Sequence, residues 1–201
     1  NITFSGIEFR KNSCKNTGAV FDAYMSNTTI EACMFRKNWA MNVGGCISGY
    51  QTQYNTYDST FEFNKAEGAG AVISLLEAQL FDFGSTFQNN TAFMGGVVNV
   101  EEDAYVHLRG SILKGNMATG NGAAVRINKA HAYLEDVYAI NNTVLAESGG
   151  AAIYGEGGYL DTYLGTFTNH TSYIGPVIHV INTTTNLNST MFIFNEAATL
   201  G

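Results

Sequence analysis

The stretch Phe87-Gln88-Asn89-Asn90-Thr91-Ala92-Phe93-Met94-Gly95-Gly96-Val97-Val98 decides the fold. It places a large apolar residue three before an Asn, a small residue two after that Asn, and a glycine six after it, followed by a small and an aliphatic residue. The first half of the pattern recurs as Phe9-Arg10-Lys11-Asn12, Phe35-Arg36-Lys37-Asn38, Phe61-Glu62-Phe63-Asn64, Leu113-Lys114-Gly115-Asn116, Tyr138-Ala139-Ile140-Asn141, Phe167-Thr168-Asn169-His170 and Phe192-Ile193-Phe194-Asn195. The spacings between first residues are 26, 26, 26, 26, 25, 29 and 25. The second half recurs as Gly18-Ala19-Val20, Gly45-Cys46-Ile47, Gly70-Ala71-Val72, Gly122-Ala123-Ala124-Val125, Gly150-Ala151-Ala152-Ile153 and Gly175-Pro176-Val177-Ile178.

A fixed internal period marks a repeat architecture. Val, Ile, Thr, Tyr and Phe with alternation, as in Val98-Asn99-Val100 and Val125-Arg126-Ile127, favour strands over helices. Twenty-six residues are too few for a four-stranded propeller blade and suit one rung of a parallel β-solenoid. The expected fold is all-β, a right-handed parallel β-helix of roughly 7–8 rungs in a single domain over residues 1–201, the hand following the general bias of parallel crossovers. At the sheet spacing, about 7.7 rungs make a rod of about 37 Å. Equivalent residues then stack in columns. One inward column is Phe9, Phe35, Phe61, Phe87, Leu113, Tyr138, Phe167 and Phe192, and another is Val20, Ile47, Val72, Val98, Val125, Ile153 and Ile178. Asn12, Asn38, Asn64, Asn90, Asn116, Asn141 and Asn195 form a third, at a bend where Asn tolerates left-handed φ and bonds to its neighbours above and below, with His170 in the same slot.

Composition agrees with a rod of stacked columns. Charged residues make up 13% of the chain against about a quarter in ordinary domains, while Gly numbers 22, Asn 21 and Pro 1. Ten basic against seventeen acidic residues, with no basic stripe, argue against nucleic acid as a partner. No apolar run is long enough to span a bilayer. No capping helix is foreseen at either end, so the chain is expected to be a segment of a longer parent or to associate end to end into a filament.

The paired F-x-x-N and Gly-small-aliphatic repeats resemble those of the polymorphic membrane protein family of chlamydial autotransporter adhesins and of similar surface proteins in some protists. The resemblance covers nearly the whole chain as short motifs; literal G-G-A-I is absent, Gly149-Gly150-Ala151-Ala152-Ile153 coming nearest, and no C-terminal β-barrel translocator is present in the sequence. It implies a right-handed β-helix at a cell surface or secreted, with adhesive or structural duty.

Seven N-x-[ST] sequons occur, at Asn1, Asn27, Asn89, Asn141, Asn169, Asn182 and Asn188, roughly twice what composition predicts. A secretory route and N-linked glycans at Asn1, Asn27, Asn89, Asn169, Asn182 and Asn188 are expected; Asn141, placed in the inward ladder, is expected to stay bare. Cys14, Cys33 and Cys46 replace small residues of their columns, as fillers or as one disulfide plus a free thiol. Glu77, Glu101, Glu102, Asp103 and Glu156, with Lys129 between, read as solvated bend charge; a Ca²⁺ site or an acid/base pair is the alternative, and no metal is assigned. His107, His131, His170 and His179 fall at different phases with no nucleophile elbow, so no catalytic residue and no cofactor are assigned. Phe21 and Tyr154 are taken as outward aromatics fit to stack on sugars or a neighbouring rod, on a face where Asp22 and Arg126 lie isolated among Ser48, Ile73 and Asn99.

The chain is thus expected to be an extracellular or cell-surface structural or adhesive protein and not an enzyme. The competing class is a carbohydrate-active β-helix enzyme of polysaccharide lyase or hydrolase type.

Overall fold

A computed structural model describes residues 1–145 and 149–197. Every regular element among them is a β-strand. The strands form three sheets of 12, 8 and 8 members, and every pairing is parallel. Each turn of chain passes through the second sheet (Thr86–Gln88 in the fourth pass), then the third (Thr91–Ala92), then two legs of the long sheet (Val98–Glu101 and Tyr105–Arg109). In the last three turns the two legs fuse into the continuous strands Val125–Glu135, Ile153–Tyr163 and Ile178–Asn188. The eight passes of the second sheet make seven steps, a parallel β-solenoid of about seven turns.

Left-handed bends shape each turn. The bend between the second and third sheets takes positive φ at Lys11, Lys37, Phe63, Asn89, Gly115, Asn141, Asn169 and Phe194. These are the residues before the ladder position, so the expected left-handed Asn is one residue misplaced. The ladder Asn instead turns inward. Asn64 Nδ2 donates to the Phe35 carbonyl and to Asn90 Oδ1, while its backbone N–H donates to Asn90 Oδ1 at 2.9 Å. The same set repeats at Asn38, Asn90 and Asn116. A glycine closes the bend before the long sheet: a Cβ on Gly70, at φ +63°, would lie 2.3 Å from the Ile73 carbonyl oxygen.

The Phe column is inward as expected, with Phe35–Phe61 and Phe61–Phe87 centroids 4.7 and 4.9 Å apart, nearly parallel. Its sixth position differs. Leu113 pairs with Ala139, which is buried, and Tyr138 points out at 44% exposure. The ladder residue of that turn is accordingly Asn142, which accepts from Asn116, and Asn141 is exposed. The true steps are 26, 26, 26, 26, 26, 28 and 25. In the small-residue column Val144, not Thr143, pairs with Ala118.

The aliphatic column runs Phe21, Ile47, Ile73, Val98, Val125, Ile153 and Ile178. Val20 and Val72 belong instead to the preceding bend column with Cys46, each joined to its neighbour by backbone hydrogen bonds. Phe21 is therefore a core residue, stacked on Phe4 at 4.6 Å and edge-on to Phe9 and Phe35. Cys46 lies in that bend column and not with Ala19 and Ala71. Among the described residues one carboxyl is inside: Asp82 is fully buried, accepting from Thr56 and, at 2.5 Å, from Ser111, and burial holds it above the usual carboxylate range.

At the two ends the columns are less covered. Phe4, Phe9 and Phe21 are half-buried, and Phe192 is 44% exposed.

Candidate functional site

Alternation along the second leg of the long sheet sends every other residue outward. Register then stacks these residues into three columns: Gln53, Gln79, Tyr105, His131, Tyr159; Asn55, Phe81, His107, Tyr133, Asp161; and Tyr57, Phe83, Arg109, Glu135, Tyr163. Nine of these fifteen positions carry a ring. Tyr57 stacks on Phe83 at 5.3 Å, Phe81 meets Tyr105 at 5.6 Å, His107 meets Tyr133 at 4.8 Å, and Tyr105, His131 and Tyr159 follow one another at 5.2 and 5.7 Å. Apolar rings turned to solvent over five consecutive turns form a contiguous surface that the core does not require.

Carboxylates sit diagonally across the columns and hold both histidines. His107 Nε2 lies 3.2 Å from Glu135 Oε2, and His131 Nε2 lies 2.9 Å from Asp161 Oδ2. Glu135 also pairs with Arg109 at 3.5 Å, and Asp161 accepts from Asn186 Nδ2 at 2.6 Å. Partial burial, with Tyr133 and Asp161 beside it, pushes the Tyr105 hydroxyl above the usual phenol range, so it stays a neutral donor.

Where this leg meets the first, a groove of about 490 Å³ opens between Tyr105, His131 and Tyr159 on one side and Asp103 and Lys129 on the other. Its floor is Ala104, Ala130 and Gly158, a column kept small. Gly158 is obligatory there: its φ is +93°, and a Cβ would lie 2.1 Å from the Ala130 carbonyl oxygen.

Other expected site residues fall elsewhere. Asp22, Ser48, Ser74, Asn99, Arg126, Tyr154 and His179 form an outward column on the first leg, with Ser74 in place of Ile73. Arg126 is not isolated: its Nη1 donates to Asn99 Oδ1 at 2.8 Å and to Glu101 Oε1 at 2.5 Å. Tyr154 is only 7% exposed, edge-on to His179, and burial with Glu156 raises its hydroxyl while Arg126 opposes this. The acidic cluster divides, Glu101 going to Arg126 and Glu102 to Lys129 at 3.5 Å, and no set of three metal-binding side chains occurs among the described residues. His170 fills the ladder slot as read, its Nδ1 accepting from the Asn142 N–H at 3.2 Å. Burial pushes it down to about 4, the backbone of Asn142 and Ala139 offsetting this only in part. Cys33 and Cys46 are buried, Cys14 is half-buried, and none is in a disulfide. All seven sequon asparagines, Asn141 included, are exposed.

The aromatic face escaped sequence reading because its rings change column from turn to turn. A signal existed: Tyr57/Phe83, Phe81/His107, Tyr105/His131 and His107/Tyr133 are each 26 apart, the period already in hand. No protein-family model matches the chain, and a search of curated proteins finds no match.

Proposed function

We propose that this chain is an extracellular or cell-surface β-helical rod with an adhesive role, and that the outward aromatic and histidine face is its contact surface. The observation that carries this is the run of nine rings, with two histidine–carboxylate pairs, over five turns of a parallel sheet. Strands locked by register on both sides hold the rings at fixed spacing, so little conformational entropy is lost on contact. Rings with polar groups at their edges are the residue types that dominate binding energy at interfaces.

The seven exposed sequons support a secretory route, with N-linked glycans on a surface of low charge density. Their placement supports the choice of face. Asn27 stands one turn before its first and Asn182 and Asn188 one turn after its last, while Asn89, Asn141 and Asn169 lie at the bend between the other two sheets. The aromatic columns between are left free of sequons. End-to-end association, or continuation of the rod in a longer parent chain, is also proposed. Binding of fluorescently labelled protein to a panel of cells and matrix-coated surfaces tests the adhesive role. Saturable binding that is lost in Y57A/Y105A/Y159A supports it, and absence of binding to every surface overturns it.

The competing enzyme reading draws on Glu101, Arg126, Tyr154 and Glu156, whose polar groups approach one another on the first leg. Release of reducing ends or unsaturated sugars from acidic and neutral polysaccharides, abolished by R126A, would establish it in place of the adhesive one.

A further inference from the structure

We infer that the groove between Tyr105, His131 and Tyr159 is a subsite for a neutral oligosaccharide. This rests on the adhesive reading and names the chemistry that the contact surface recognises.

The three rings are not a flush stack. Tyr105 and His131 stand at 87° and His131 and Tyr159 at 55°, so each presents part of a face as well as an edge to the groove. Tyr159, at 56% exposure, is the most open ring of the column. The C–H faces of pyranose rings pack on such surfaces, and successive sugars of an extended chain meet successive turns of the solenoid. Hydroxyl-bonding groups flank the rings on both sides: Asp103 and Lys129 at one wall, and Asp161 with Asn186 beyond the other. An apolar and aromatic lining with a few convergent polar groups is the anatomy of a small-ligand site, and 490 Å³ falls within the usual size range.

Charge selects among ligands. Asp103 faces the space that Lys129 also borders, and Lys129 is shared with Glu102. No excess positive charge remains for phosphate or sulfate, and Asp103 repels both. A hydroxyl-rich neutral chain is the remaining match. The floor agrees with this: Ala104, Ala130 and Gly158 let a ring descend between the walls, whereas the same column carries Thr183 in the last turn.

The test is titration of the full chain with neutral β-1,4-linked hexasaccharides of glucose and of N-acetylglucosamine, and with a sulfated heparin-derived hexasaccharide. Calorimetry is the readout, alongside protection of His131 from diethyl pyrocarbonate. The expected result is saturable binding of a neutral probe, with a Kd of about 1 mM or tighter, protection of His131, and at least a tenfold loss in Y105A/Y159A. Y24A/Y138A, on other faces, should bind as wild type. Protection of His131 in the wild-type chain serves as evidence even where the double variant fails to fold. Absence of binding by both neutral probes, binding of the sulfated probe alone, or unchanged affinity in a folded Y105A/Y159A overturns the inference. Pairing of rods through this face, abolished by Y159A, would also overturn it, assigning the groove to a second copy. If labelled protein binds surfaces but no hexasaccharide competes, the subsite fails while the adhesive reading stands.

Discussion

Replacing Asn90 with Ala tests the ladder that sets the turns in register. Its side chain makes four hydrogen bonds: Oδ1 accepts from the N–H and Nδ2 of Asn64, and Nδ2 donates to the Phe61 carbonyl and to Asn116 Oδ1. The residue is completely buried, so water cannot replace them. Asn64 Nδ2 keeps its bond to Phe35, and Asn116 Oδ1 keeps the Asn90 N–H, but the Asn64 N–H loses its partner. An orphaned buried amide costs about 1–3 kcal/mol and each of the two weakened groups about 0.5–1 kcal/mol more, giving about 2–5 kcal/mol in all. For a chain of this size that is a fall in Tm of about 4–20 °C, measured by circular dichroism at pH 7. N89G, one residue away and exposed, keeps the left-handed backbone and should stay within about 0.5 kcal/mol. N90D gives the sign. It sets a carboxylate oxygen against the Phe61 and Asn116 oxygens, which raises its folded pKa above the unfolded value. The penalty is full above the folded pKa and is relieved as pH falls through it. An N90A protein within about 1 kcal/mol of wild type, or an N90D protein that loses further ground to wild type on acidification, would refute the ladder's energetic role.

Further outcomes follow from groups elsewhere in the rod. His170, held at about 4, is buried neutral, so wild-type stability should fall as pH drops from about 6.5 to 4, by on the order of 3 kcal/mol; the fall should be absent in H170N, whose amide restores the Asn pattern, and thermal melts across this range check it. Burial places the Cys46 thiol well above its usual range and encloses Cys33, so native protein should react with a maleimide at Cys14 alone, and denatured protein at all three. Fewer than three reactive thiols after unfolding would reveal a disulfide. Expressed through a eukaryotic secretory pathway, the protein should carry a glycan at Asn141, seen by mass spectrometry after deglycosylation in ¹⁸O water; a bare Asn141 beside occupied Asn89 and Asn169 would contradict its outward position at the bend.

The period, the Phe and Asn columns and the parallel solenoid were legible because the same residue types return at the same phase. Register failed by one residue where neighbours were alike. Val20-Phe21 and Val72-Ile73 are apolar pairs in which both members are buried or half-buried, one at a bend and one on a strand, so hydrophobicity could not choose between them. The doublet Asn141-Asn142 and the larger ring of Tyr138 beside Ala139 misled in the same way. Asp82 hid because a charged residue on a strand is expected outside, and its burial is made tolerable by the hydroxyls of Thr56 and Ser111, 26 residues before and 29 after, together with Ser85. The aromatic face needed the corrected step of 28 between His131 and Tyr159, and between Tyr133 and Asp161, before its columns aligned.

The central claim is that the outward rings of the second leg are where this rod makes contact. The most direct measurement is the dissociation constant of the full chain on the surface it binds best, compared with that of Y57A/Y105A/Y159A. These tyrosines are half-buried or exposed on the outer face, so the melting temperature should stay near that of wild type. The account predicts binding at least tenfold weaker in the variant, about 1.4 kcal/mol or more, with Y24A/Y138A unchanged. Equal affinity for wild type and the triple variant would contradict it.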